Sequence, residues 1–188
     1  MRNQRLFMVL LGCKPPGRNT EQHDVFFGVA ESISDLKPAM EAFWPNSGGL
    51  HIDAWREVTQ VNDYHITVVP KNSVDHSEHR LQLFFVNLGG YIEHEFEELH
   101  HKLLIVAPSI SEAIKQAKQS VFFKQKSTAH AAGAAHIDDK YGFEVDEIMN
   151  VESVLPKQQQ QHFELAVSEF LGGAQDAQQI GYLKFSKL

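Results

Sequence analysis

The sequence predicts an α+β protein of two tandem β-β-α-β-β modules related by an approximate twofold, with mainly antiparallel sheets and helices packed on one face. Two observations carry this prediction. First, residues 6–34 align with residues 83–111 at a displacement of 77, and 12 of these 29 positions are identical. Second, each copy contains two short apolar runs followed by an amphipathic segment. Self-similarity of this kind is typical of a repeated structural unit.

Each copy begins with two apolar segments that predict buried strands. The first strands are expected at Leu6–Leu11 and Leu83–Leu88, each followed directly by a glycine. The second strands are expected at Val25–Ala30 and Leu103–Ala107. A short continuous apolar run bounded by glycine is typical of a strand that is buried on both faces.

A helix is predicted next in each copy, because a serine and an acidic residue stand at capping-box spacing. The pairs are Ser32 with Asp35 and Ser109 with Glu112. In this motif the serine oxygen accepts from a first-turn amide while the acid reaches back to the serine amide. Pro45 ends the first helix. Apolar residues recur on one helical face, namely Ile33, Leu36, Met40 and Phe43 in the first copy and Ile110, Ala113, Ile114, Ala117 and Val121 in the second.

The remaining elements complete the modules and add a C-terminal segment. A strand at Leu50–Val58 is expected to form a hairpin with Tyr64–Val69 across Asn62-Asp63. We expect module limits of 1–75 and 80–155, with a separate C-terminal segment at 156–188. The other predicted elements are strand material at Phe143–Val154, a helix at Lys157–Leu171 and a last strand at Ile180–Phe185.

Composition restricts the function classes. The net charge of −7 is spread evenly along the chain, so no segment has the excess of basic residues that a phosphate backbone requires, and we expect no nucleic acid partner. No apolar stretch is long enough for a membrane span, and we expect no membrane partner. One cysteine, Cys13, fits a reducing compartment, so a cytoplasmic protein is expected. Homo-oligomerisation stays open.

The N-terminal segment also has an alternative interpretation. Leu10-Leu11-Gly12-Cys13 looks like the end of a bacterial lipoprotein signal. The apolar run before it is shorter than a normal signal core, and the same segment recurs inside the chain at residues 83–89, where no signal operates. We therefore favour a buried strand, with Cys13 as a small buried thiol rather than a nucleophile.

The segments Glu21–Gly28 and Leu50–Trp55 resemble the bacterial DUF1543 family. The second copy resembles that family's second module through Leu83–Tyr91, Glu98–His100 and His136–Asp139. The resemblance covers about residues 5–155. It implies one or two copies of a module of unknown function and supports the module limits. It implies no substrate, cofactor or catalytic residue.

Histidines and carboxylates recur in the two copies at a spacing of two residues. Side chains alternate along a strand, so both members of such a pair point to one side. If the strands that hold these pairs are neighbours, each copy presents two imidazoles and two carboxylates in one cluster. The four pairs are Glu21 with His23, His51 with Asp53, Glu98 with His100, and His136 with Asp138.

Such a cluster fits three kinds of function. Imidazole and carboxylate ligands suit a divalent transition metal as cofactor, and the predicted metal ligands are His23, His51, His100 and His136. The same groups suit acid–base or small-molecule binding sites. Trp55 is expected on the side of His51 and Asp53, either as a pocket wall or as an aromatic packed at the interface between the copies. The pairs also suit a structural hydrogen-bond network.

The sequence therefore favours a small-molecule or metal-ion binding protein without turnover. A protein–protein interaction module, in which the histidines and acids are purely structural, is the first alternative. A metal-dependent or histidine-based hydrolase or lyase is the second, because no known catalytic motif is present.

Overall fold

Antiparallel strands make up most of the secondary structure in the computed structural model, which describes residues 3–75, 77, 80–91, 94, 96–119, 144–170 and 172–188. Every strand pairing among them is antiparallel, which confirms the predicted α+β fold. The strands are β1 Arg5–Cys13, β2 Gln22–Ala30, β3 His51–Glu57, β4 Gln60–Val61, β5 Tyr64–Pro70, β6 Gln82–Tyr91, β7 Glu98–Ala107, β8 Glu144–Asn150, β9 Phe163–Glu169 and β10 Gln179–Lys184. The helices are α1 Lys37–Phe43, α2 Ile110–Lys118, α3 Val151–Val154 and α4 Lys157–His162, with 3-10 turns at Ile33–Leu36 and Phe185–Lys187.

The chain divides into two units, Met1–Asp75 with Glu152–Leu188 and His76–Val151. The first unit contains a four-stranded sheet in the order β10-β3-β1-β2 and a three-stranded sheet in the order β4-β5-β9. The C-terminal residues thus supply β9 and β10 to the sheets of the first unit. The module limits of 1–75 and 80–155 remain a proposal.

One face of the four-stranded sheet packs against α1 and the 3-10 turn before it. Alternate residues of β1 point to this face, as their spacing of two requires. Gly12, the next residue after Leu11, therefore lies on the opposite face, where the candidate site lies. The buried residues of the core are Phe7, Val9, Leu11, Phe26, Ala30, Leu36, Met40, Ile52 and Phe185.

The second unit repeats the central part of this arrangement. Its sheet has the order β7-β6-β8, which corresponds to β2-β1-β3, and α2 packs on one face. Residues 84, 86 and 88 of β6 lie 77 positions after residues 7, 9 and 11 of β1 and are likewise buried. A common origin of the two halves stays a prediction. The buried core comprises Phe84, Val86, Leu88, Ile105, Ala107, Ala113 and Ala117.

Both predicted helix starts have the expected capping residues. The Asp35 carboxylate accepts hydrogen bonds from the Ser32 amide at 3.0 Å and from the Ser32 hydroxyl at 2.7 Å. At α2, the Glu112 amide donates to Ser109 Oγ at 3.3 Å. Each cap satisfies polar groups that the first turn leaves without a helical partner.

We expect Ser109→Ala to lower the free energy of unfolding of the second unit by about 1 kcal/mol, because one amide at the start of α2 loses its acceptor. Ser111→Ala, an exposed position inside the same helix, is the matched control and should leave stability unchanged or slightly raised. Urea unfolding followed by circular dichroism measures both. Equal effects of the two variants would contradict the cap.

One predicted element differs along half its length. The sequence predicts a helix at Lys157–Leu171, but α4 ends at His162 and residues 163–169 form β9. This strand pairs with β5 along its whole length, from Tyr64 opposite Glu169 to Pro70 opposite Phe163. Tertiary pairing has overridden a local preference for helix. The last strand, predicted at Ile180–Phe185, is confirmed as β10.

The predicted hairpin turn is confirmed, but its first strand is not β3. Asn62 and Asp63 connect β4 to β5, and Asn62 has a positive φ of 52°, a conformation that asparagine tolerates. β3 instead pairs with β1 and β10. In the second unit, the segment Phe143–Val154 contains β8 and then the short helix α3.

Candidate metal centre

A β-bulge in β3 determines where the candidate site lies. Opposite β1, Leu10 pairs with Ala54 and Leu11 pairs with Ile52, so Asp53 is the extra residue without a partner. A bulge bends the strand and redirects the side chain of its extra residue. The Asp53 carboxylate lies on the face of the sheet that carries Gly12, beside His51, and the residues after it change faces.

Four of the predicted residues meet at this bulge, and we call them the first cluster: Glu21, His23, His51 and Asp53. Gly12 pairs with His23 on one side and His51 on the other, and paired residues share a face of the sheet. Glu21 immediately precedes β2 and lies on the same side as His23. The contacts are His51 Nε2 to Glu21 Oε1 at 2.5 Å, His23 Nε2 to Asp53 Oδ2 at 3.2 Å and His51 Nε2 to Asp53 Oδ1 at 3.5 Å.

Gly12 forms the floor of this first cluster. A Cβ atom at this position would lie 2.5 Å from both Asp53 Oδ2 and His51 Nε2, and 3.1 Å from Glu21 Oε1. Folded proteins essentially never show Cβ contacts under 3.0 Å, so Asp53 and His51 would have to move. The absence of a side chain therefore creates the space into which the polar atoms converge.

The polar atoms of the first cluster are placed as metal ligands would be. One ligand atom each from Glu21, His23 and Asp53 lies within 4.8 Å of the others. Asp53 Oδ2 is buried and accepts no hydrogen bond within the described part of the chain, because His23 approaches it at a short distance but not along a hydrogen-bonding direction. A buried carboxylate oxygen without a donor is costly unless a cation compensates it.

His51 is the buried member of the first cluster, with 5% of its surface exposed. Its Nδ1 atom lies 3.2 Å from the Gly49 carbonyl oxygen. A carbonyl only accepts, so Nδ1 donates this bond and Nε2 faces Glu21 and Asp53. The Tyr182 ring lies against the imidazole, with ring centroids 4.4 Å apart. These contacts fix the orientation of His51 beside the ligand atoms.

The second unit contains a cluster at the corresponding place. The β6–β8 register shifts between Asn87 and Leu88, 77 positions after the shift in β1, and leaves Asp146 as the extra residue of the bulge. His100 Nε2 lies 3.4 Å from Asp146 Oδ2 and 3.6 Å from Glu98 Oε2. One ligand atom from each of these three residues lies within 4.8 Å of the others. A Cβ atom at Gly89 would clash with Asp146.

The structure therefore brings together six of the predicted residues and adds one that the sequence analysis missed. Glu21, His23, His51 and Asp53 meet in the first cluster, and Glu98 and His100 meet in the second. His136 and Asp138 lie outside the described residues. The positions opposite β6 that correspond to His51 and Asp53 are those of Glu144 and Asp146, a displacement of 93 rather than 85. The signal that could have identified Asp146 was its position, as an acidic residue inside the predicted strand segment Phe143–Val154.

Trp55 lies on the opposite face from the first cluster, which corrects its predicted side. The extra residue at Asp53 reverses the alternation of β3, so Trp55 pairs with Val9 and points toward α1. It packs against the core there, with its ring 6.0 Å from that of Phe7. Trp55 therefore packs in the core of the first unit and cannot wall a pocket at the cluster. Its predicted place at the interface between the copies stays a prediction.

Two titratable residues next to the clusters are less available for chemistry. Cys13 is buried, and burial raises the pKa of its thiol, to which the charge of Glu21 adds. The thiolate is the nucleophilic form, so this supports the prediction of a small buried thiol. His101 follows His100 but points to the other face. Burial, and secondarily the charge of Lys102, lowers its pKa.

The fold and the two clusters define an α+β protein whose units each carry histidine and carboxylate side chains on an antiparallel sheet. Residues 18–68 match the model of the family described as Domain of Unknown Function (DUF1543), which confirms the predicted resemblance to that family in the first copy; the resemblance of the second copy stays a prediction. The matched segment contains all four residues of the first cluster.

A solved structure supports the fold. The chain is similar to the crystal structure of a protein Il1583 from Idiomarina loihiensis, with a TM-score of 0.63, 23% sequence identity and 97% of each chain covered. No curated protein matches the chain. Within the described residues, no helix is long and apolar enough to cross a membrane.

Proposed function

We propose that this protein binds two divalent transition-metal ions. In the first cluster the ligands are Glu21, His23 and Asp53, and in the second cluster they are Glu98, His100 and Asp146. The observation that carries the proposal is the repeated geometry. In both units the same three residue types converge over a glycine, and in both the aspartate is the extra residue of a bulge. A hydrogen-bond network alone does not require that the residue beneath the polar atoms lack a side chain.

The ligand set indicates which ions fit. One imidazole nitrogen and two carboxylate oxygens suit Zn, Mn, Fe or Ni better than a soft ion such as Cu(I), which prefers sulfur ligands. Cys13 pairs with Gln22 rather than His23, so its sulfur faces away from the first cluster. His51 would act from outside the ligand set by holding Glu21 in place.

The exposure of the ligands supports reversible binding rather than a closed structural site. Glu21 and His23 are exposed, and only Asp53 is half-buried among the three. Three protein ligands leave at least one coordination position of the ion for water or a small molecule, as in open zinc sites. This arrangement supports the small-molecule part of the function predicted from the sequence.

Metal analysis of the purified protein, after dialysis against Zn, Mn, Fe or Ni salts in turn, tests the proposal. We expect close to two ions per chain for the preferred metal. His23→Ala and His100→Ala should each remove one ion, and the double variant should remove both. His162→Ala, an exposed histidine outside both clusters, is the matched control and should retain two.

A different result would favour the structural interpretation. If the wild-type protein retains no ion, and His23→Ala and His51→Ala merely lower the melting temperature, the clusters are hydrogen-bond networks. The metal proposal would then be abandoned for both units.

A further inference from the structure

We infer that the first cluster, once it holds its metal ion, binds a small organic monoanion with a flat apolar group that packs on Tyr182. This inference rests on the proposed metal site. In this inference, strand β10 recognises the organic molecule that coordinates the metal ion. The second cluster lacks such a strand among the described residues and is expected to behave differently.

Strand β10 brings three exposed side chains to the face that carries the first cluster. Ile180 pairs with Ala54 and Lys184 pairs with His51, and paired residues share a face. Tyr182 lies between them and contacts the His51 ring. These three side chains, Ile180, Tyr182 and Lys184, form an apolar and cationic border beside the ligand atoms.

The apolar part of this border is unusually exposed. Tyr182 exposes 62% of its surface and Ile180 exposes 80%, whereas most large apolar residues of the described chain are buried. An aromatic ring fixed against a buried imidazole offers a rigid flat surface for another ring. An apolar surface directly beside polar ligand atoms is typical of a small-molecule site.

The charge balance favours an anion as the occupant. A divalent ion is neutralised by the carboxylates of Glu21 and Asp53. Lys184 is exposed and pairs with His51 in the sheet, so its side chain adds one positive charge to the face that carries the site. A ligand with one negative charge that coordinates the ion meets this balance.

The second cluster has no such border among the described residues. Its sheet ends at β8, and no described strand pairs with the outer edge of β8 in the way that β10 pairs with β3. The second cluster therefore serves as an internal control for the first: it is expected to bind metal without a preference for a ring on the ligand.

Calorimetric titration of zinc-loaded protein with benzohydroxamate and acetohydroxamate tests the inference. Both probes coordinate metal through the same group and differ in carrying a phenyl ring or a methyl group. In the His100→Ala background, where only the first cluster is loaded, benzohydroxamate should bind about ten-fold more tightly. In the His23→Ala background, where only the second cluster is loaded, the two affinities should be equal.

Variants of the border identify the residue responsible. In protein reloaded with excess zinc, so that the first cluster is filled in every variant, Tyr182→Ala should abolish the preference for the ring and Tyr182→Phe should retain it. Phe170→Ala is the matched control, because Phe170 is also a part-exposed aromatic that contacts a histidine, His65, with ring centroids 4.1 Å apart. Lys184→Met should weaken both probes by up to about five-fold.

The outcomes separate the two proposals. If zinc binds but the ring preference is absent, or survives in Tyr182→Ala, the inference is overturned and the metal proposal stands. If no zinc binds, both fail together.

Discussion

Replacing Gly12 with alanine is expected to abolish metal binding by the first cluster while the protein remains folded. The new Cβ atom would occupy the space in which Asp53, His51 and Glu21 converge. All three contacts are with side-chain ends, so the ligands must move and the backbone of β1 need not. Because a shift of the groups around a metal already costs 10- to 100-fold in affinity, we expect a loss of at least about 100-fold.

Metal content by mass spectrometry and zinc affinity by competition with a chromogenic chelator measure this effect. Gly12→Ala should retain one ion per chain, in the second cluster. Gly89→Ala is the reciprocal variant and should retain one ion in the first. Two ions of unchanged affinity in Gly12→Ala would show that the space above the glycine is not the metal site.

Phe7→Ala is expected to lower the free energy of unfolding of the first unit by about 3–5 kcal/mol. Phe7 has 1% of its surface exposed and packs between the sheet and α1 with Met40 and Leu36. Truncation removes the buried aromatic ring, with its favourable transfer from water, and leaves a cavity that the surrounding core cannot fully close. Both tryptophans of the chain, Trp44 and Trp55, lie in the first unit, so their fluorescence in urea reports this unfolding specifically.

Phe43→Ala is the matched control for Phe7→Ala. Phe43 exposes 43% of its surface and contacts Phe26 only at its edge, with ring centroids 5.5 Å apart. Its truncation should cost clearly less, since much of the side chain is already in water. A loss below about 1 kcal/mol for Phe7→Ala would mean that the core on the helix side of the sheet contributes little.

The sequence predicted the repeated elements because their signals are local. Continuous apolar runs, capping boxes and helical spacing depend on neighbouring residues, and these elements appear where expected. The first cluster was also predictable, because the alternation of a strand places Glu21 with His23 and His51 with Asp53.

The errors in prediction come from non-local pairing. A bulge at Asp53 is not visible in the sequence, and it moves Trp55 to the other face, whereas Asp53 stays on the side of His51 as alternation predicts. In the second unit, the described strand that pairs with β6 contains Asp146, which the sequence analysis did not select; His136 and Asp138 lie outside the described residues and stay a prediction. Similarly, residues 163–169 contain good helix formers, but pairing with β5 makes them a strand.

The first unit is discontinuous in the chain, and this has a consequence for how the protein is synthesised. Strands β1 to β3 leave the ribosome long before β10, since the whole of residues 76–151 is translated between them. Until β10 arrives, the nascent sheet ends at β3 with an unpaired edge, which is a template for association with other chains. Pairing between such distant segments is also slow. The candidate metal centre of the first unit therefore acquires its border only after the second unit has been translated.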